Sequence, residues 1–111
     1  MAIVVKDLIS SKYAEATSTT QYTASGVTAI IDKFTAVNRS ASDATISVYL
    51  VPSGGTAGDS NIVLKNKSIN PGDTYSITEA MGHVLEAQDS IVTIASVASA
   101  ISLKASGREI T

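Results

Sequence analysis

From Thr45 to Val51 the chain alternates: Ile46, Val48 and Leu50 fall on one side, and Thr45, Ser47 and Tyr49 on the other. This period of two predicts a strand with one face on a core and one on water. After Ala100 the same pattern returns, with Ile101, Leu103 and Ala105 set against Ser102, Lys104 and Ser106. Ile91, Thr93 and Ala95 alternate with Val92, Ile94 and Ser96. Both faces of that segment are partly apolar, which predicts a central or doubly covered strand. Strands are predicted near 2–9, 17–24, 27–38, 44–51, 61–69, 73–78, 90–97 and 100–110.

Turn residues punctuate these runs. Asn70-Pro71-Gly72-Asp73 places Pro and Gly at the central positions of a type II turn, since Pro presets φ and Gly accepts φ > 0. Ser25-Gly26 separates two early strands. Asn38 to Asp43 reads as a hairpin connection, and Pro52 to Asn61 as a long exposed loop of small residues. Only Glu79–Leu85 offers helical possibilities, enough for a single turn. Short strands with turns about every 8–12 residues predict an all-β chain, an antiparallel β-sandwich (jelly-roll-like) of about eight strands. Residues 17–111 make the sandwich, and residues 1–16 are an N-terminal arm or an edge strand.

Length and composition narrow the function. The 111 residues suit one domain. The absence of Cys excludes disulfides, thiolate zinc sites and Cys nucleophiles. Only 16% of residues are charged, and sixteen Ser and twelve Thr fill the polar positions instead. A net charge of −2 with scattered basic residues argues against a nucleic-acid surface. Lys33, Arg39, Lys65, Lys67, Lys104 and Arg108 form no run. Lys65 and Lys67, alternating with Asn66 and Ser68, read as a guarded sheet edge. No segment is apolar enough for a secretory signal or a membrane helix, so synthesis in the cytoplasm and no membrane partner are expected. Phe34 is the only Phe, and the core is expected to be small and aliphatic. Each fully buried Val or Ile supplies about 1.5–3 kcal/mol, so added stability from self-association is expected.

Candidate chemistry is sparse. His83 is the one side chain that titrates near neutrality, with Glu79 and Glu86 close in sequence. Catalytic zinc needs three protein ligands, and no second His exists. A nucleophile elbow needs Gly-x-Ser-x-Gly, and Ser53-Gly54-Gly55 does not supply it. Gly54, Gly55 and Gly58 imitate a phosphate loop, but Asp59 follows where Lys would be needed. Asp43, Asp59, Asp73 and Asp89 could bind calcium if they converged; otherwise they are ordinary turn residues. Tyr13, Tyr22, Tyr49 and Tyr75 could stack on sugars or simply serve as strand residues. No catalytic, cofactor-binding or metal-binding residue is assigned, and no enzymatic activity or cofactor is expected.

Several segments carry a resemblance. They are Val48-Tyr49-Leu50-Val51-Pro52-Ser53-Gly54-Gly55-Thr56-Ala57, Ile69-Asn70-Pro71-Gly72-Asp73-Thr74-Tyr75, Leu85-Glu86-Ala87-Gln88-Asp89-Ser90-Ile91 and Leu103-Lys104-Ala105-Ser106-Gly107-Arg108-Glu109-Ile110. Together they resemble small β-sandwich structural proteins of tailed bacteriophages and prophages, over about residues 17–111. The resemblance implies a non-enzymatic virion component, such as a capsid cement or decoration protein or a neck or tail attachment module. Its implied partners are copies of itself, a trimer on a shell threefold foremost, and the major capsid protein or other virion proteins. A carbohydrate- or cell-surface-binding module is the alternative suggested by the Tyr residues and the 52–61 loop.

Overall fold

The computed structural model describes residues 2–111. They form nine strands: β1 (Ile3–Tyr13), β2 (Thr19–Thr23), β3 (Thr28–Asn38), β4 (Ala44–Val51), β5 (Ile62–Ile69), β6 (Thr74–Ser76), β7 (Val84–Leu85), β8 (Ser90–Ala95) and β9 (Ile101–Ile110). Most partners are distant in sequence. β1 pairs with β9, β2 with β8, β3 with β6 and β7, and β4 with β5, all antiparallel. The chain is thus one long hairpin folded at the β4–β5 turn. The doubled ribbon then wraps on itself, so that β9 also meets β3 and β8 also meets β4.

Two sheets result, ordered β1-β9-β3-β6 and β2-β8-β4-β5, with β7 also on β3. β6 lies against Thr35–Val37 and β7 against Ala29–Ile30, so the two act as one interrupted strand. With that pair counted once, the order is that of an eight-stranded jelly roll. The fold is an antiparallel β-sandwich, as the alternation predicted.

The core lies between the sheets. Ala29, Ile31, Phe34 and Ala36 of β3 and Ile101, Leu103 and Ala105 of β9 face Ile46 and Val48 of β4 and Ile91, Thr93 and Ala95 of β8, all buried. β8 is central, between β2 and β4, and Val92 on its other face is buried too, which accounts for its two apolar faces. The turn at Asn70–Asp73 forms as expected. The Asp73 N–H donates to the Asn70 carbonyl over 3.1 Å, and Gly72 takes a φ of 80°.

Four features depart from the sequence reading. β1 runs to Tyr13, well past the predicted end near residue 9. Bulges between Asp7 and Ile9 and between Ile9 and Lys12 break its alternation, and the first buries Leu8 and Ile9 side by side. The Asn38–Asp43 segment is not a hairpin: β3 and β4 belong to different sheets, so it crosses between layers. The 79–85 segment makes turns and then β7 instead of a helical turn. There the Gly82 N–H donates to the Ile31 carbonyl and the Ile31 N–H to the His83 carbonyl, which draws the segment onto the sheet. Finally, Leu50 faces inward but is only partly buried at the end of the sandwich.

Candidate functional site

An open groove of about 400 Å³ lies at one end of the sandwich, lined by Leu50, Pro52, Asn61, His83, Val84 and Asp89 among others. It brings His83 and Asp89 to one place, but Asp89 already serves the loops. Its Oδ1 accepts from the Ser53 N–H over 2.9 Å and its Oδ2 from the Glu86 N–H over 3.0 Å. The carboxylate thereby clips the exposed 52–61 loop to the 86–89 turn. Glu79 turns elsewhere, to Tyr75. Among the described residues, no three His, Cys, Asp or Glu side chains are grouped so as to hold a metal ion. Asp43, Asp59, Asp73 and Asp89 do not converge, and Asp59 pairs with Lys65 at 3.5 Å.

The four Tyr residues are dispersed. Tyr13 stands opposite Ser102 on the outer face of the first sheet, with the Arg39 guanidinium 5.3 Å from its ring centre. Tyr22 stands opposite Ile91 and faces inward, whereas Tyr49 stands opposite Val92 on the outer face of the second sheet. Tyr75 sits on β6 with Lys67 Nζ 4.9 Å above its ring. The Tyr75 hydroxyl lies 2.7 and 2.8 Å from the Glu79 carboxylate oxygens. That hydrogen bond lowers the Glu79 carboxyl pKa and raises the Tyr75 phenol pKa from their ordinary values. No two of these rings share a sugar-sized platform.

Tyr22 links the two sheets by donating its hydroxyl hydrogen to the Glu109 carboxylate, which Lys6 also approaches at 3.5 Å. Burial first, and the Glu109 hydrogen bond second, push the phenol pKa far above its ordinary value. This cluster of Tyr22, Glu109 and Lys6 closes one end of the sandwich.

The outer face of the β1-β9-β3 sheet is divided by chemistry. At one end, register places Val5, Arg108, Ile30 and Val84 in one row across four strands, and Ile3, Ile110 and Thr28 in the next. Ile3 is 61% exposed, Val5 78% and Val84 54%. Arg108 crosses this patch and binds Asp32 in bidentate fashion at 2.9 and 3.0 Å. Further along, Lys33, Thr35, Lys104 and Ser106 surround a shallow hollow of about 210 Å³. Lys104 is paired with Asp7 at 3.2 Å. Lys33 and Lys104 thus share one hollow although they are far apart in sequence, and Lys65 and Lys67 line a sheet edge, on β5.

The arrangement offers flat walls of hydroxyls, methyl groups and a few paired charges. Such walls can be buried against another protein at low desolvation cost. Sequence reasoning missed the Ile3–Val5 surface. Three consecutive apolar residues look like a core strand unless the far side of the strand is known to be empty.

Compared with known proteins, the chain matches no family model, no curated protein and no solved structure.

Proposed function

We propose that the chain is a non-enzymatic structural protein of a bacteriophage virion, a cement or decoration protein that stabilises the head through repeated protein–protein contacts. The observation that carries this reading is the apolar patch on the outer face, where Ile3, Val5 and Val84 are exposed around the half-buried Ile30 and the Asp32-paired Arg108. An exposed apolar patch on a rigid sheet marks a protein–protein surface. Many identical weak contacts then add up across a symmetric shell. The four segments that resemble phage sandwich proteins support the same reading and supply the virion context. Self-association belongs to it, with a trimer on a shell threefold as the assembled form.

The test is made on particles purified from the lysate of the strain that carries the gene. The chain should be present in many copies per particle, on the head, and particles stripped of it should release DNA at a lower temperature. Its absence from purified particles would overturn the proposal. A few copies confined to the neck or tail would instead identify an attachment module.

A further inference from the structure

We infer that the first half of β1 is a self-pairing edge, where a second copy of this chain adds its own β1 antiparallel about a two-fold axis through Val4. The inference deepens the proposed function, on whose assembly it rests, by naming a contact between copies.

β1 is the terminal strand of its sheet, so among the described residues no strand lies on the side of it away from β9. An open edge presents unpaired N–H and C=O groups, and proteins usually guard it with bulges, lysines or short length. The other edges carry those devices. β5 has Lys65 and Lys67 around Asn66, whose φ is 48°. β2 has five residues and a bulge. β6 and β7 have three and two. The second half of β1 is bulged twice, but from Ile3 to Asp7 it runs in unbroken register with β9, and the one lysine of that stretch, Lys6, is turned to Glu109. Within that regular stretch Ile3, Val4 and Val5 are 61%, 47% and 78% exposed. Side chains of both faces are exposed over these three residues.

Backbone direction selects the pairing. The Thr111 N–H donates to the Ala2 carbonyl over 2.9 Å, so Ala2 turns its polar groups toward β9. In an antiparallel ladder that direction alternates. Val4 therefore also points toward β9, while the N–H and C=O groups of Ile3 and Val5 point to the open side. A two-fold through Val4 sets Ile3 opposite the second copy's Val5 and Val5 opposite its Ile3. Outward-facing groups then meet in reciprocal hydrogen bonds. A register shifted by one residue would mate outward groups with inward ones. A shift by two would set Asp7 opposite Ile3 and Lys6 opposite Val4. The two-fold through Val4 centres the contact on the uncharged Ile3, Val4 and Val5 and leaves Lys6 at its margin, opposite Ala2. This suits self-association of a chain with net charge −2. It also joins the two Ile3, Val5 and Ile110 patches into one surface across a continuous sheet, an isologous contact.

The experiment measures the mass of the untagged chain by sedimentation velocity and native mass spectrometry, for the wild type and two double variants. The wild type should show an even-numbered species. That is a dimer, or a hexamer where the threefold contact of the proposed function also forms. Ile3→Lys with Val5→Lys sets Lys against Lys at both sites, as Ile3→Glu with Val5→Glu sets Glu against Glu. Each variant should stay folded by circular dichroism, since these side chains are exposed. Each should halve the mass and weaken the contact by about 100-fold or more. Mixing the two variants should restore the full mass with one chain of each kind, because every Lys then meets a Glu. A wild-type monomer or trimer, an unchanged mass in either variant, or no recovery on mixing would overturn the inference. An even-numbered assembly that is missing from particles would sink the proposed function and leave this contact standing.

Discussion

The Cα of Gly107 on β9 lies so close to the Ile30 carbonyl of β3 that a methyl group there would sit 2.0 Å from the oxygen and 3.0 Å from Leu8 Cδ1. Gly107 also stands beside the bulges of both neighbouring strands, between Asp7 and Ile9 and between Ile31 and Lys33. Close approach of another backbone is a principal reason for glycine inside a strand. Gly107→Ala should therefore destabilise the fold by about 3 kcal/mol, at the upper end of overpacking costs. Urea unfolding followed by circular dichroism measures it. A loss below about 1 kcal/mol would show that β3 and β9 can separate locally at little cost.

Asn38 is fully buried where the chain crosses between sheets. Its Nδ2 donates to the Ser42 and Ile69 carbonyls, each at 2.8 Å, and its Oδ1 accepts from the Ser40 N–H and hydroxyl. Its backbone is also bonded, to the Asp73 carbonyl and the Gly72 N–H. Asn38→Ala strands several of these groups, at about 1–3 kcal/mol for each that stays buried. Asn38→Asp turns an acceptor toward two carbonyls and should be at least as damaging at pH 7. The pKa of that carboxyl would be raised in the folded state, so its stability deficit relative to wild type should narrow as pH falls toward 4. A deficit that does not depend on pH would contradict the assigned direction of the amide.

Tyr22 and Glu109 make the chain sensitive to alkali. The folded state raises the Tyr22 phenol pKa above its unfolded value of about 10. The stability linked to this protonated phenol, through its burial first and the Glu109 hydrogen bond second, is fully present below that value and is lost as pH rises above it, because the folded state binds the proton more tightly. The melting temperature of the wild type should fall more steeply between pH 9 and 11 than that of Tyr22→Phe. Parallel curves for the two proteins would assign the alkaline loss to other groups.

The inward face of β4 can be graded. Val48 is fully buried, so Val48→Asp places an unpaired charge in the core and should prevent soluble folding. Leu50, two residues on, lines the open groove beside His83. Leu50→Asp should reduce stability and still leave a folded protein, because water can reach the carboxylate. Expression and circular dichroism of the two variants check this order. Equal loss of folding would mean that the groove is closed in solution.

Much of the fold was legible because alternation is a local property of a strand. Ile46, Val48, Ile101, Leu103 and Ala105 are buried as their period-two spacing required. Pro71-Gly72 makes its turn because both residues are restricted or freed at φ by their own covalent structure. Asn66 and Asn38 were harder to read: one holds a bulge at positive φ, and the other saturates a crossover, each through partners far along the chain.

Composition and spacing determined that this chain is an all-β sandwich with a small aliphatic core and no recognisable catalytic motif, because those signals depend only on neighbours in sequence. Tertiary structure alone decided which strands share a sheet, why Leu8 and Ile9 are buried together, and why Ile3, Val4 and Val5 are exposed. Sheet order arises from loop crossings and pairings about a hundred residues apart, such as Ile3 with Ile110. An apolar run reads the same in sequence whether its strand ends up at the centre of a sheet or at its edge.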